Sequence, residues 1–224
     1  TEVLFPPGSR YHYSNPGIIF VGRTIEAVTG DVYEAYIDKN IFRPLEMRRS
    51  YFDATPWHLR GYRANSYRVE GGEPVANGPE FDTGITVSNG GLNAPVSDLA
   101  KWVAFLLGPT EGGAEAHEPL ARASLLEMWE PIVAVDEAPL GPQAMGLSFF
   151  IHEYDGRRLV GHTGSQKGFR TFILLDPAAG VGAIGVVNTA GGDATAPPSV
   201  QILEELQRRL AGEVFPHFTA ARTA

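Results

Sequence analysis

Two short polar segments, one near each end of the chain, carry the residue types that could do chemistry. The later segment is Gly161-His162-Thr163-Gly164-Ser165, followed by an apolar run that is typical of a β-strand. Gly164 lacks a Cβ, so a ligand backbone can approach the chain there. His162, Thr163 and the Ser165 amide offer hydrogen-bond donors along the same edge, which predicts a substrate-binding strand. A surface hairpin remains the alternative, because short motifs recur by chance.

The earlier segment is Tyr13-Ser14-Asn15. Pro16 follows it and suits the first turn of a helix, so Tyr13 and Asn15 are predicted to lie at a helix entrance. Structural roles are open to both residues, Tyr13 as a buried aromatic side chain and Asn15 as a helix N-cap. The presence of the strand motif later in the chain favours a functional role.

Composition bounds the class of protein. The 224 residues are 43% hydrophobic and 20% charged, as in an ordinary globular protein. A net charge of −8 and a pI near 5.2 disfavour nucleic acid or an anionic membrane as partner. No apolar run approaches the roughly 20 residues of a membrane span. The absence of cysteine excludes disulfides and thiolate chemistry, and a small molecule or peptide is the expected partner.

One apparent cofactor motif does not stand in the required context. The glycine-rich run 180–185 matches the dinucleotide pattern but leads into a predicted strand, whereas phosphate binding needs a helix N-terminus. The 6 histidines are scattered, and none has a second histidine four positions away on a helix. We therefore predict neither a cofactor nor a metal.

Periodicity and turn residues predict the elements that must position the two segments. Helices are expected after Pro16, after a capping box at Asp31 and Glu34, after Ser97-Asp98, over 120–129 and after Pro197-Pro198. Antiparallel strands are expected over 145–154, 159–175 and 181–188, with a loop at 131–142 and a hairpin turning at Gly71-Gly72.

These elements predict an α+β fold, an antiparallel sheet flanked by helices (an α/β sandwich) with a helical or irregular region beside it. Residues 1–142 are expected to form the helical and loop region that carries Tyr13. Residues 143–212 are expected to supply the strands and the C-terminal helix of the sheet domain. Residues 213–224 are expected to be a loose tail.

Together, the two polar segments resemble motifs of the serine β-lactamase and penicillin-binding-protein superfamily, especially its class C β-lactamase, D-aminopeptidase and esterase branch. In that family the first motif is Tyr-x-Asn and the later one is Lys-Thr-Gly or His-Thr-Gly. The stretches 5–8 (FPPG), 41–45 (IFRPL) and 90–92 (GGL) also look like the family. The resemblance covers roughly residues 5–210, and implies a β-lactamase-like fold whose N-terminal part is missing.

The resemblance implies a role for each site residue. Tyr13 would be the general base that carries the nucleophile's proton to the leaving group, although a phenol, with an ordinary pKa of about 10, needs a nearby positive charge for this. Asn15 would orient the substrate carbonyl or amide. His162 and Thr163, beside Gly164, would hold the far end of the substrate. The Ser165 amide would supply half of an oxyanion hole.

The family's acylated serine lies in a Ser-x-x-Lys motif, which this chain lacks. None of its three lysines has a serine three positions earlier. The residues at that distance are Tyr36 for Lys39, Asp98 for Lys101 and Gly164 for Lys167. We therefore expect the nucleophilic serine and its lysine to precede Thr1 in a longer protein. That N-terminal segment would be a partner of this chain, which alone is expected to be inactive.

His162 stands where many family members carry lysine. Lysine is a fixed positive charge suited to a substrate carboxylate, whereas histidine is neutral in most molecules at pH 7. The hypothesis is that esters, D-amino-acid amides or small peptides are preferred over carboxylate-bearing β-lactams. Faster turnover of a chromogenic cephalosporin than of a short p-nitrophenyl ester would contradict it.

The leading interpretation is a serine hydrolase that works through an acyl-enzyme. One alternative is a non-catalytic, β-lactamase-like binding module. Another is an enzyme that uses His162 and Ser165 in an unrelated mechanism. The compartment is left open by the sequence, and a periplasmic or secreted location is suggested by family analogy alone.

Overall fold

The computed structural model describes residues 4–78, 82–108, 119–135, 140–141, 143–191 and 198–222. The helices are α1 (Asn15–Thr29), α2 (Tyr33–Ile37), α3 (Val87–Gly90), α4 (Val96–Leu107), α5 (Arg122–Met128), α6 (Ser199–Arg209) and α7 (Phe215–Arg222). The strands are β1 (Tyr51–Phe52), β2 (Tyr67–Glu70), β3 (Glu73–Ala76), β4 (Leu92–Asn93), β5 (Val133–Val135), β6 (Gln143–Met145), β7 (Phe150–Tyr154), β8 (Arg157–Gln166), β9 (Phe169–Asp176), β10 (Val181–Val187) and β11 (Thr189–Ala190).

The largest sheet is a six-stranded antiparallel meander in the order β10-β9-β8-β7-β6-β5. Two of its hairpins turn where glycine follows a residue with positive φ, at Asp155-Gly156 and at Lys167-Gly168. Strands are present over the predicted ranges, although 145–154 divides into β6 and β7. The expectation of one strand over 159–175 is wrong, because the chain turns at Lys167-Gly168 and the range forms two paired strands, β8 and β9. The loop expected over 131–142 is wrong in part, because Val133–Val135 pairs with β6 as an edge strand.

Helices cover both faces of this sheet. On one face, Val160 of β8 and Leu175 of β9 lie in a core cluster with Val103 and Leu106 of α4 and Leu125 of α5. On the other face, a second cluster consists mainly of Leu159, Phe172 and Leu174 from the strands with Leu203, Ala211 and Phe215 from the C-terminal helices. Because neighbouring residues of β8 point to opposite faces, one strand serves both cores. The α+β prediction is confirmed.

Three helix starts and one chain end differ in detail from the predictions. Ser14 rather than Asn15 caps α1, since its hydroxyl accepts from the Gly17 amide at 3.1 Å. The capping box at Asp31 is wrong, because α2 begins after Val32 and the Tyr33 amide donates to Glu26 at 3.0 Å.

At α4 the N-cap is Pro95, and Asp98 lies inside the first turn with only 3% of its surface exposed. Asp98 accepts hydrogen bonds from the Arg49 amide at 2.8 Å and the Ser50 hydroxyl at 3.1 Å. A tertiary contact therefore overrides the capping that its position suggested. The expected loose tail also differs: the chain continues into α7, and Phe215 is 1% exposed in the second core.

Two small sheets lie beside the large one. The predicted hairpin of β2 and β3 turns at Gly71-Gly72, both with positive φ, and β2 pairs in parallel with β11. Strands β1 and β4 form the other pair.

Strand β10 ends the six-stranded order, and within the described residues no strand pairs with its outer edge. An open cleft of about 600 Å³ lies at the far end of this strand. Its lining includes Phe169, Val186, Val187 and Ile202. None of the helices in the described ranges combines the length and the apolar character needed to cross a membrane.

Candidate active site

Strand β8 carries the later polar segment, and its register explains why that segment is accessible. Strand β7 begins at Phe150, which pairs with Gly161. Residues 162–166 of β8 therefore extend beyond β7 and have no partner in it, and we call them the overhang. These residues pair on their other side with β9, from His162 opposite Ile173 to Gln166 opposite Phe169. Within the described residues no strand covers their second edge, so backbone groups that point away from β9 face open space.

The side chains of this overhang alternate between the two faces of the sheet. Thr163 and Ser165 are exposed and share one face, while His162 and Gly164 lie half-buried on the other. A Cβ added to Gly164 would lie 2.6 Å from the Thr171 hydroxyl. The glycine therefore keeps the strand surface flat at the position where the sequence predicted a close ligand approach.

His162 is held by two contacts. Its Nδ1 donates to the Thr163 carbonyl oxygen, with 2.6 Å between the two atoms, and its ring lies 5.2 Å from the ring of Phe150. Burial lowers the pKa of His162, and the hydrogen bond to the Thr163 carbonyl opposes that shift. The imidazole is accordingly neutral at pH 7, with Nε2 left as the proton acceptor.

Tyr11, two residues before the Tyr-x-Asn segment, is connected to His162 through aromatic rings. Tyr11 contacts Phe150 edge-on at 6.1 Å, and Phe150 in turn contacts His162. Burial raises the pKa of Tyr11, and Coulombic repulsion between the ionised forms of Tyr11 and Tyr13 raises it further. Tyr13 itself is 57% exposed and Asn15 is also exposed. Within the described residues, neither Tyr13 nor Asn15 hydrogen-bonds to β8.

Helix α3 forms a second connection between α1 and β8. The Ser88 hydroxyl donates to the Ile18 carbonyl of α1 at 3.1 Å, and Gln166 Nε2 donates to the Gly90 carbonyl at 3.3 Å. Gly22 allows the close approach, because a Cβ there would lie 2.5 Å from the Ser88 side chain. The entrance of α1 and the overhang of β8 are thus fixed to one short helix.

The hairpin turn after the overhang is held from a third side. The Lys167 carbonyl accepts from the Ser66 hydroxyl at 2.5 Å and from Asn77 Nδ2 at 3.2 Å. Lys167 has a φ of 41°, a conformation that side chains adopt only when their surroundings impose it. The small sheet of β2 and β3 therefore anchors the end of β8.

Arg170 is a residue of this region that sequence reasoning missed. It lies directly opposite Ser165 in the β8–β9 register, and its Nη1 donates to the Ser165 hydroxyl. Its Nε is buried and has no hydrogen-bond partner among the described residues. The Lys167-Gly168 turn signal, read as a two-residue hairpin, would have paired Ser165 with Arg170 from the sequence.

The comparisons with known proteins identify the family. The chain matches the Beta-lactamase family model over residues 1–205. It therefore belongs to the beta-lactamase family, within the serine β-lactamase and penicillin-binding-protein superfamily.

Curated relatives include Protein flp of Staphylococcus aureus (strain MW2), 29% identical over 187 residues that cover 84% of this chain and 35% of that protein. Unguisins hydrolase ungD' of Aspergillus campestris (strain IBT 28561) is 31% identical over 195 residues, covering 82% of this chain and 34% of that protein. The chain thus spans about a third of the length of these relatives.

A similar solved structure is the octameric penicillin-binding protein homologue from Pyrococcus abyssi. Its TM-score is 0.75 at 28% identity, with 95% of this chain and 45% of that chain covered. The structure of SurE gives a TM-score of 0.74 at 25% identity, covering 96% of this chain and 48% of the other. These likenesses confirm the β-lactamase-like fold that the motifs predicted.

Proposed function

We propose that this chain supplies part of the active site of a serine hydrolase that cleaves a small ester, amide or peptide through an acyl-enzyme. The nucleophilic serine and its lysine would come from residues preceding Thr1. One observation carries the proposal: Tyr11 contacts Phe150 and Phe150 contacts His162, so the residue two positions before the Tyr-x-Asn segment lies near the His-Thr-Gly strand.

In the proposed reaction the serine hydroxyl attacks the substrate carbonyl while its proton passes to the side-chain oxygen of Tyr13, the general base. The carbonyl oxygen takes the negative charge and is stabilised by the Ser165 amide, which lies on the open overhang of β8. Tyr13 then protonates the leaving group as its bond to the carbonyl carbon breaks. Water, deprotonated by Tyr13, hydrolyses the acyl-serine and restores the enzyme.

Asn15 is suited to orient the substrate because Ser14 already caps α1. Its exposed side-chain amide can donate to the carbonyl oxygen of an acyl group. Thr163 and His162 lie on opposite faces of β8, so they would bind the far end of a substrate that runs along the open strand edge between them. The neutral His162 can accept a hydrogen bond at Nε2 but gives no fixed positive charge.

Active-site labelling of the longer protein tests the proposal. A fluorophosphonate probe should add one adduct to that protein, mapping to a serine upstream of Thr1, and the isolated chain of residues 1–224 should stay unlabelled. Labelling of the isolated chain, at Ser165 for example, would overturn the assigned nucleophile. A longer protein that takes no label and hydrolyses no ester would instead be a binding module.

A further inference from the structure

The turn that joins β8 to β9 determines which backbone groups of the overhang face open space. Its two loop residues, Lys167 and Gly168, both have positive φ, 41° and 92°. Positive φ at both loop positions is typical of a type I′ turn, a common turn of two-residue hairpins. In such a turn the two flanking residues, here Gln166 and Phe169, form a hydrogen-bonded pair.

The register then gives the direction of the Ser165 amide. Hydrogen-bonded and non-hydrogen-bonded pairs alternate along an antiparallel ladder. The pair next to the turn-closing one, Ser165 and Arg170, is therefore non-hydrogen-bonded. Thr163, two residues earlier, follows the same alternation, and its carbonyl oxygen accepts from His162 Nδ1. The Ser165 amide accordingly points away from β9, towards the open edge of β8.

Two side-chain donors hold this turn in place. The Lys167 carbonyl accepts from the Ser66 hydroxyl at 2.5 Å and from Asn77 Nδ2 at 3.2 Å. Ser66 is 8% exposed, and the Asn77 backbone amide donates to the Ser66 carbonyl at 2.9 Å. Asn77 Nδ2 also lies 3.2 Å from Ser66 Oγ. The two donors are thus fixed to each other as well as to the turn.

The small sheet packs directly against the turn. A Cβ added to Gly168 would lie 3.0 Å from the Tyr67 carbonyl oxygen and would overlap the Asn77 side chain. The overhang itself has β9 on one side, and within the described residues no strand lies on its other side. The position of the Ser165 amide therefore depends on β9 and on the turn that Ser66 and Asn77 hold.

We propose that Ser66 and Asn77 are positioning residues for the oxyanion hole. By holding the Lys167 carbonyl, they keep the Ser165 amide directed at the carbonyl oxygen of the substrate. The inference rests on the proposed function and adds to it the residues that keep its amide donor in place. An oxyanion donor is effective only within about 2.7 to 3.1 Å of the developing charge, so a small displacement of the amide lowers the rate.

Two single variants of the longer protein test this positioning. S66A and N77A each remove one of the two donors to the Lys167 carbonyl. Each should lower kcat/KM for a short p-nitrophenyl ester about 10- to 100-fold, somewhat less than the loss that follows complete removal of an oxyanion donor. N77A, at a half-buried position, serves where S66A does not fold.

Two inhibitors separate positioning from a general loss of folded enzyme. When an arylboronic acid binds, the serine oxygen bonds to boron and releases its proton, and the tetrahedral adduct mimics the transition state. Its Ki should rise in proportion to the fall in kcat/KM. The ether analogue of the ester has no carbonyl oxygen, so its Ki should stay within about 2-fold of the wild-type value. Partial unfolding would lower kcat but would change neither Ki.

R68Q is the matched control on the same hairpin. Arg68 donates to Glu70 and to the Ala76 carbonyl, and within the described residues it has no hydrogen bond to the turn. R68Q should therefore keep the wild-type kcat/KM and both wild-type Ki values.

The outcomes are distinct. Wild-type kcat/KM and boronate Ki in folded S66A or N77A would overturn the positioning role and leave the proposed hydrolase intact. A fall in kcat/KM with an unchanged boronate Ki would also overturn it and would assign the two residues a structural role. An equal rise of both Ki values would contradict a specific effect on the amide. A wild-type protein that neither hydrolyses the ester nor binds the boronic acid would overturn the proposed function itself.

Discussion

Ser14 satisfies a free amide at the start of α1, and this leaves the side chain of Asn15 without a capping role. Sequence alone could not decide this, because serine and asparagine are both good N-caps and stand side by side. Tyr13 is likewise mostly exposed rather than buried. At the scale of single residues, the Tyr-x-Asn motif predicted which positions could be functional. The structure then excluded the structural roles considered for them, a buried ring for Tyr13 and a helix cap for Asn15.

Removal of the Tyr13 hydroxyl tests its role as the base. We expect Y13F to lower kcat for a short p-nitrophenyl ester about 100- to 10,000-fold, the range for a lost general base. Stability should change little, since the side chain is exposed. Y11F is the matched control, because it keeps the ring that contacts Phe150. Equal activity of Y13F and wild type would favour a mechanism without this tyrosine.

His152 provides a test of stability against pH. It is 5% exposed on β7, and burial lowers its pKa from 6.5 to about 4. Because the folded pKa lies below the unfolded value, the stabilisation is present above pH 6.5 and is lost as the pH falls towards 4.

Between pH 7.5 and 4.5, wild type should therefore lose about 2 to 3 kcal/mol more unfolding free energy than H152L, measured by urea titration. H58L, at an exposed histidine, should follow the wild-type profile. Parallel profiles for wild type and H152L would contradict this assignment of the buried imidazole.

At the scale of elements, the decisive feature is that β8 is longer than β7. Alternating apolar residues and glycine turns predicted most of the strands, because these are local signals. The turn at Lys167-Gly168 was not predicted, and β8 and β9 were expected as one strand. The overhang of residues 162–166 depends on where the neighbouring strand begins, which is set by pairing with Gly161 across the sheet. The sequence analysis missed β5 for the same reason. Its three residues, Val133–Val135, carry too little local signal, and they form a strand because β6 pairs with them.

Gly161 and Gly164 should respond differently to added side chains. A Cβ on Gly161 would lie 2.3 Å from the Ile173 carbonyl oxygen, in the rigid backbone of β9. We expect G161A to destabilise the protein by about 1 to 3 kcal/mol, measured by urea titration. G61A is the control, because nothing lies within 4 Å of a Cβ at Gly61. A neutral G161A would show that β8 and β9 can separate locally.

At Gly164 the nearest atom is the Thr171 hydroxyl, which belongs to a side chain and can rotate away. G164A should therefore cost less stability than G161A but lower kcat/KM for esters, because the added methyl group obstructs the approach of a ligand to the overhang. The check is to measure urea midpoints and ester kinetics on the same two variants. Loss of activity only in proportion to loss of folded protein would contradict a binding role for this strand.

At the scale of the whole molecule, one edge of the large sheet and parts of several helices are uncovered. Strand β10 has an open outer edge in the described part of the chain, and α1 exposes Phe20 and Val28 to 70% and 80% of their surface. Composition could not reveal this, since a sequence shows how many apolar residues exist but not which lack a partner.

We expect the isolated chain of residues 1–224 to bind the dye ANS and to self-associate, because edges and apolar surfaces of this kind promote association. If the proposed upstream segment exists and covers these surfaces, the longer protein should bind less dye and melt at a higher temperature. Light scattering and dye fluorescence at equal concentration provide the measurement. An isolated chain that stays monomeric and does not bind ANS would contradict the expectation that these exposed surfaces promote association.

The pairing of β11 with β2 has a kinetic consequence. Asn188 Nδ2 donates to the Asn65 carbonyl, a contact between residues 123 positions apart, whereas the strands of the large meander follow one another directly. Bringing together residues so far apart in the sequence costs chain entropy before their contact can stabilise the fold. The meander should consequently form early in folding. The β11–β2 pair should form last and open first, and with it the hydrogen bonds from Ser66 and Asn77 to the Lys167 carbonyl.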